Sequence, residues 1–237
     1  MPLARRRDRP RTGARAAGAA LLLVGCVGGI RSIAPENLAP LAADTAAAWA
    51  SVFEPAGPLQ FDLRWQFENR DGRASGRATA RFAPPDTLRF DYRGPFGRSG
   101  SALIVGDAAV WSEPEGNMDD LVPVAPVLWA SLGIMLAPDE GTAFLGSDTG
   151  DRRAWRQVEG ERALDYIVTR DTPPRLLAEM RDGTRILGVA EVELAGPAPT
   201  HPTAAVMRFP TQRSTFTLTV RQVDTVAAFP ADTWKRP

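Results

Sequence analysis

The chain of 237 residues carries 28 basic and 28 acidic residues, one histidine and one cysteine, and 44% of its residues are hydrophobic. Six of the basic residues but only one acid lie within residues 1–25, so the remainder has 22 basic against 27 acidic residues. Nucleic-acid binding requires a concentrated basic face, which this acidic remainder lacks, so we expect no nucleic-acid partner.

The first 25 residues have the profile of a secretory signal peptide. A basic stretch precedes an apolar run over residues 16–24, which is far shorter than the ~20 residues that span a bilayer. The run ends in Leu23-Val24-Gly25-Cys26, which resembles the lipobox of bacterial lipoproteins. This resemblance implies cleavage before Cys26 and acylation of its thiol. Two or three acyl chains hold a protein on a membrane where one binds only weakly.

The alternative for Cys26 is a small apolar residue within a hydrophobic segment. The coincidence of basic stretch, apolar run and small residues before it favours lipidation, and a single cysteine excludes an internal disulfide. We therefore predict a signal peptide over residues 1–25, a lipidated tether over residues 26–34 and one domain over residues 35–237.

Hydrophobic periodicity predicts the elements of this domain. Apolar residues from Leu38 to Val52 recur at three- and four-residue steps and predict an amphipathic helix. From Pro58 the period changes to two, and about ten antiparallel strands follow at hairpin spacing. Helical periodicity returns between Leu121 and Leu136 and predicts a second helix within the strand series. The pattern is typical of a mainly β fold with two or three helices, built on one strongly curved antiparallel sheet or barrel.

Few residues of this sequence could serve in catalysis or metal binding. His201, the one histidine, stands between prolines in a predicted loop without a nucleophile motif nearby. Zinc sites need several His and Cys, and Asp148 and Asp151 lack the twelve-residue spacing of a calcium loop. We predict no enzyme activity, no catalytic residues, no metal and no cofactor beyond the covalent lipid on Cys26.

The order of a helix, strands, a central helix and further strands behind a lipobox resembles the LolA/LolB superfamily of lipoprotein carriers and outer-membrane receptors. The resemblance covers about residues 38–223. Its most specific stretch runs from Leu88 to Ser99, where Pro95-Phe96-Gly97 is similar to the Pro-Leu-Gly loop of the LolB branch. The segment from Pro126 to Gly133 is similar to the Leu-x-x-Trp-Ile-Leu-Gly segment of that branch.

This resemblance implies an incomplete (half) β-barrel whose helices cover an apolar cavity. In the family the cavity receives the acyl chains of a lipoprotein handed over by a soluble periplasmic carrier, and an exposed apolar loop residue helps insert the cargo. Phe96 matches that residue, and Pro95 and Gly97 complete the loop; the alternative for Phe96 is a side chain folded onto the sheet rim. The predicted cavity residues are Phe61, Leu63, Trp65, Phe82, Leu88, Phe90, Tyr92, Phe209, Phe216 and Leu218.

A cavity and a filled core are lined by the same residue types, so the sequence leaves both open. The first predicts a lipoprotein that binds acyl chains or lipidated cargo and helps transfer or insert it. The second predicts a structural or assembly lipoprotein that binds a protein partner. Val27, rather than Asp, follows Cys26, which favours the periplasmic face of the outer membrane.

Overall fold

The computed structural model describes residues 31–116, 121–138, 141–197 and 200–237. They form one sheet in the order β1-β7-β8-β9-β10-β11-β12-β13-β2-β3-β4-β5-β6, in which every neighbouring pair is antiparallel. β1 and β6 are its two edges, so the sheet does not close into a barrel. The strands in this part of the chain are β1 (Ala39–Pro40), β2 (Leu59–Asn69), β3 (Gly72–Ala83), β4 (Thr87–Arg93), β5 (Ser99–Val105), β6 (Ala108–Glu113), β7 (Ala143–Asp148), β8 (Arg152–Glu159), β9 (Arg162–Thr169), β10 (Arg175–Asp182), β11 (Arg185–Leu194), β12 (Pro202–Phe209) and β13 (Ser214–Thr225).

The alternation of apolar and polar residues decides which face each strand buries. On β2, Phe61 and Leu63 are buried while Arg64 beside them is exposed. The register carries this arrangement across the sheet, since Ala80 of β3 lies opposite Phe61 and Val220 of β13 lies opposite Leu63. The apolar positions therefore share one side, the inner face, and the charged positions share the outer face.

The first helix is shorter than the sequence predicts. Helix α1 spans Ala43–Ala50 and continues as one 3₁₀ turn at Ser51–Phe53. The residues before it do not join the helix, because Ala39–Pro40 form β1 and pair with β7. Pro40 lacks a backbone N–H and disfavours helical geometry in the residue before it, so the predicted start near Leu38 is wrong.

The second predicted helix is present but interrupted. A 3₁₀ turn at Val122–Val124 precedes helix α2 at Ala125–Ser131, and each begins with a proline in its first turn. The helix stops before Gly133, whose φ of +71° belongs to the left-handed region that ends helices. All residues of α2 except Pro126 are buried, so this short helix lies inside the molecule rather than on its surface.

Contacts of α2 show that the sheet curves around it. The ring of Trp129 lies 5.9 Å from the ring of Phe82 on β3, and a Cβ built on Gly188 of β11 would lie 3.4 Å from Val127 Cγ2. β3 and β11 are four strands apart, which is about 19 Å in a flat sheet and well beyond one helix diameter. The predicted fold class, a curved, unclosed antiparallel sheet with covering helices, is confirmed.

The two ends of the described chain both lie on the outer face. On β10, Glu179 accepts hydrogen bonds from the Ser32 hydroxyl and the Ile33 backbone N–H, each at 2.7 Å. On β4, Arg89 donates to the backbone carbonyls of Thr233 at 2.6 Å and Lys235 at 3.0 Å, next to a 3₁₀ turn at Ala231–Trp234. These segments cover parts of the sheet that would otherwise face solvent.

Candidate functional site

The predicted cavity residues lie on the inner face, and most of them belong to a packed core. Trp65 is 9% exposed, while Phe90, Tyr92 and Phe216 are half-buried. Whether any of the ten binds lipid stays a prediction. The remaining six, each at most 2% exposed, are Phe61, Leu63, Phe82, Leu88, Phe209 and Leu218.

Helix α2 occupies the space between β3 on one side of the half-barrel and β10, β11 and β12 on the other. Trp129 is fully buried, and its indole N–H donates to the Gly106 carbonyl at 2.8 Å, so its one polar group is satisfied. Its ring packs edge-on against Phe82, and Leu132 and Ile134 after the helix are 1% exposed. The centre of the half-barrel is therefore filled by side chains of the protein itself.

Aromatic side chains gather at the end of the inner face near the β2–β3 and β4–β5 hairpins. Trp65 meets Tyr92 edge-on at 5.9 Å and stacks with Phe216 at 6.2 Å, and Phe67 lies 6.4 Å from Phe216. Gly76 makes room for this group, because a Cβ there would lie 2.9 Å from Trp65 Nε1. This end of the core is apolar and only partly covered.

The predicted insertion loop connects β4 and β5 at the same end. Pro95–Gly97 form a 3₁₀ turn, which Gly94 N–H closes by donating to the Arg98 carbonyl at 2.7 Å. Phe96 has a left-handed φ of 57° and its side chain is 101% exposed. Phe96 therefore points into solvent rather than folding onto the sheet rim, and its role in insertion stays a prediction.

An open apolar groove lies at the opposite end of the half-barrel, beside α1. We call it the α1 groove; its volume is about 820 Å³, within the range of small-ligand sites. Phe53 and Leu194 form its floor and belong to the core. Trp49, Val52 and Val168 form half-buried walls, and the remaining lining comes mainly from the β9–β10 and β11–β12 loops, at Thr169 to Pro174 and Ala195 to Pro197.

Charged groups stand at the rim of the α1 groove. The Arg153 guanidinium lies 4.9 Å from the centre of the Trp49 ring, a cation–π distance. Partial desolvation raises the pKa of Asp148, but hydrogen bonds from Arg170 and Arg153 outweigh it and hold that pKa below its ordinary value. The hydrogen bond from Arg175 likewise lowers the pKa of Asp171. The groove thus combines an apolar interior with arginines at its edge.

A larger groove of about 1000 Å³ lies on the outer face between β2–β6 and the C-terminal segment. Polar and charged groups line it, including Arg81 and Arg89, which both pair with Asp91. Hydrocarbon gains nothing by replacing water against such groups. Although it is the smaller of the two, the α1 groove is the better candidate for an apolar ligand.

A solved structure shares this architecture. A LolA superfamily protein from Nitrosomonas europaea superposes with a TM-score of 0.53 at 12% identity, covering 83% of this chain and 98% of that chain. The chain has the LolA-type fold. A DUF1329 family protein from Desulfovibrio piger ATCC 29098 gives a TM-score of 0.47 at 10% identity, covering 81% and 95%. No protein-family model and no curated protein matches the sequence.

At this identity the likeness to the LolA-type fold concerns the fold alone, so the assignment to the LolB branch stays a prediction. Cys26 and the signal peptide lie outside the described residues, and their processing stays a prediction too. Within the described ranges no helix combines the length and apolar character needed to cross a membrane. Across the same ranges, no three His, Cys, Asp or Glu side chains are grouped as a metal site requires.

The α1 groove contains binding candidates that the sequence pattern does not mark as ligand contacts. Trp49 and Val52 belong to the apolar stripe of the first predicted helix, which is the only signal they carry in the sequence. Val168, Pro174 and Leu194 come from separate segments. Only the folded LolA-type sheet brings these segments together with α1.

Proposed function

We propose that this protein is an exported, lipid-anchored lipoprotein that binds an acyl chain, or the acyl chains of a lipidated cargo, in the α1 groove. It holds this ligand noncovalently and makes or breaks no bond. The observation that carries the proposal is an apolar groove of about 820 Å³ that opens to solvent, continues into the core at Phe53 and Leu194, and has arginines at its rim.

The chemistry of the groove fits an acyl ligand in two respects. Its apolar walls gain about 25 cal/mol for each Å² of hydrocarbon surface that they remove from water. Arg153 and Arg170 also bind Asp148, and together they bring positive charge to the rim, where it attracts a phosphate or carboxylate headgroup. A ligand with its tail inward and its anionic head at the rim satisfies both.

The further steps of the proposal follow the sequence resemblance. Acylated Cys26 anchors the protein to the periplasmic face of the outer membrane, where it accepts cargo from a soluble carrier and helps insert it. Support comes from the lipobox pattern before Cys26, Val27 after it, and the fully exposed side chain of Phe96.

Binding can be tested with the full chain and a fluorescent fatty-acid probe, together with mass spectrometry of lipids that co-purify with it. Val52→Glu and Val168→Glu place a carboxylate in the walls of the groove and are expected to weaken probe binding at least about 100-fold. Val110→Glu is the matched control, because Val110 is 57% exposed on β6, away from the groove.

Equal probe binding by all three variants, or no binding and no co-purifying lipid in the parent chain, would reject the α1 groove as a lipid site. The second outcome favours the alternative function, a structural or assembly lipoprotein that binds a protein partner. One observation supports that alternative: α2 and the fully buried Trp129 fill the centre of the half-barrel.

A further inference from the structure

Three arginines form a straight row on the outer face of β2, β3 and β4. Arg64 lies directly opposite Arg77, and Arg77 lies directly opposite Arg93. All three are exposed. Side chains in directly opposed positions have Cβ atoms about 5 Å apart, and like charges in such pairs destabilise a sheet. The row therefore costs folding free energy unless an anion compensates it.

The protein supplies no such anion among the residues that the structure describes. There, the side chains of Arg64, Arg77 and Arg93 form no hydrogen bond or ion pair, whereas Arg73 pairs with Glu68 at 2.8 Å. In the adjoining row, Asp91 is engaged by Arg81 and Arg89. In the row on the other side of the arginines, Gln66 lies opposite Ser75, and both side chains are neutral.

Asp62 stands in the same adjoining row as Asp91, on the other side of Thr79. Within the described ranges its carboxylate forms no ion pair with any of the three arginines. Exposed arginines of the same face are otherwise paired where an acid lies opposite them, as Arg73 is with Glu68. The arginines of the row, by contrast, have no acid directly opposite them.

The row leads directly to the exposed Phe96. Arg93 ends β4, and the closed turn that follows places Phe96 between Arg93 and the equally exposed Arg98. Aromatic side chains favour the headgroup region of a bilayer, and arginines beside them bind lipid phosphates. An exposed aromatic tip flanked by unpaired arginines has the composition of a surface that binds the interface of an anionic bilayer.

We propose that Arg64, Arg77 and Arg93 bind the phosphate groups of anionic phospholipids while Phe96 enters the headgroup region. This inference rests on the proposed function, since it specifies how the protein meets the membrane to which it delivers lipid. The row spans two strand spacings, or about 10 Å, so several headgroups can be engaged at once. An acidic protein segment would pair with the arginines but gives no reason for the exposed Phe96.

The test uses the full chain reconstituted into vesicles, with Pro95→Cys carrying an environment-sensitive fluorophore beside Phe96. The parent chain, labelled in parallel, reports any signal from Cys26, which is its one native cysteine. Vesicles contain phosphatidylcholine alone or mixed with phosphatidylglycerol. We expect a blue-shifted emission only in the anionic vesicles, and we expect high salt to reverse it because salt screens exposed charges.

Arg64→Gln/Arg77→Gln/Arg93→Gln is expected to lower the ratio of docked to undocked label roughly 100-fold, since each arginine near an anionic surface strengthens binding about fivefold. Arg152→Gln/Arg162→Gln/Arg185→Gln is the matched control. It removes the same charge from exposed positions that begin β8, β9 and β11, and it should leave the shift intact.

Three outcomes would overturn the proposal. They are equal shifts in both kinds of vesicle, equal loss of the shift in the two triple variants, and release of the label from anionic vesicles by polyglutamate at a charge concentration below that of the anionic lipid. The last outcome assigns the row to an acidic protein segment. The fatty-acid probe separates this proposal from the proposed function, because the arginine variant should still bind the probe and Val168→Glu should still dock. Circular dichroism confirms that each variant is folded.

Discussion

Two regions of the outer face place like charges in neighbouring strand positions, but only one of them is buried. On β9 and β10, Asp165 lies directly opposite Glu179, and both are fully buried. On β2 to β4, Arg64, Arg77 and Arg93 lie opposite one another and are exposed. Both arrangements place like charges in neighbouring positions of a sheet, which destabilises it.

The acidic pair is compensated within the protein. Asp165 accepts from Arg156 Nε and from Arg181 Nη2, each at 2.6 Å. Glu179 lies 3.3 Å from Arg181 Nε and also accepts from the Ser32 hydroxyl and the Ile33 backbone N–H. Burial is tolerated here because each carboxylate has charged or polar partners. The acidic pair is thus neutralised within the protein beneath the N-terminal segment, whereas the side chains of the exposed arginine row form no ion pair with any described residue.

The largest effect is expected when the buried acidic pair loses one member. Asp165→Asn leaves Arg156 and Arg181 facing a neutral amide and should lower the free energy of unfolding by about 3–5 kcal/mol. Asp148→Asn is the control, because Asp148 also binds two arginines but is 34% exposed, so its loss should cost about 1 kcal/mol or less. Urea unfolding followed by circular dichroism compares them. Equal losses would show that the buried cluster contributes no more than a surface pair.

A smaller effect is expected when the covering segment loses its hydroxyl donor. Ser32→Ala removes the hydrogen bond to the Glu179 carboxylate and should lower the free energy of unfolding by about 1.5 kcal/mol. Hydrogen exchange at the Ile33 amide should accelerate with it, because that N–H bonds the same carboxylate. Ser51→Ala serves for comparison, since the Ser51 hydroxyl donates to the nearby Ala48 carbonyl of the preceding helix α1. Unchanged exchange at Ile33 would show that the segment is held without Ser32.

The smallest effect is expected in the arginine row and has the opposite sign. Arg77→Thr separates Arg64 from Arg93 and should raise the free energy of unfolding by about 0.2–1 kcal/mol, as relief of like-charge repulsion requires. The gain should shrink in high salt. Arg73→Thr instead breaks the ion pair with Glu68, so it should not raise the free energy of unfolding. A destabilised Arg77→Thr variant would mean that the row is not strained.

Most of the sheet could be predicted, because side-chain alternation has a strict period of two. Phe61, Leu63 and Arg64 on β2 show buried and exposed positions where the pattern predicts them. The helices were predicted less well. Pro40 moves the start of α1 to Ala43, and Gly133 ends α2 early, because backbone constraints at single residues outweigh a periodic pattern over a dozen positions.

The candidate site was harder to predict than the fold. Phe82 and Phe209 carry the pattern of an inner face, but a pattern does not distinguish a cavity wall from a core, and both are buried. The α1 groove combines Val52, Val168 and Leu194 from distant segments. Its shape depends on how α1 lies against the end of the sheet, which no local signal encodes.

The sequence by itself determined the alternating strands, the inner and outer faces, and the apolar turn that presents Phe96, because these follow from spacing and turn chemistry over a few residues. Only the tertiary structure decided that α2 fills the half-barrel, that open apolar space lies beside α1, and that Arg64, Arg77 and Arg93 form one unpaired row. Those features depend on strand register and sheet curvature, which bring together residues far apart in the chain.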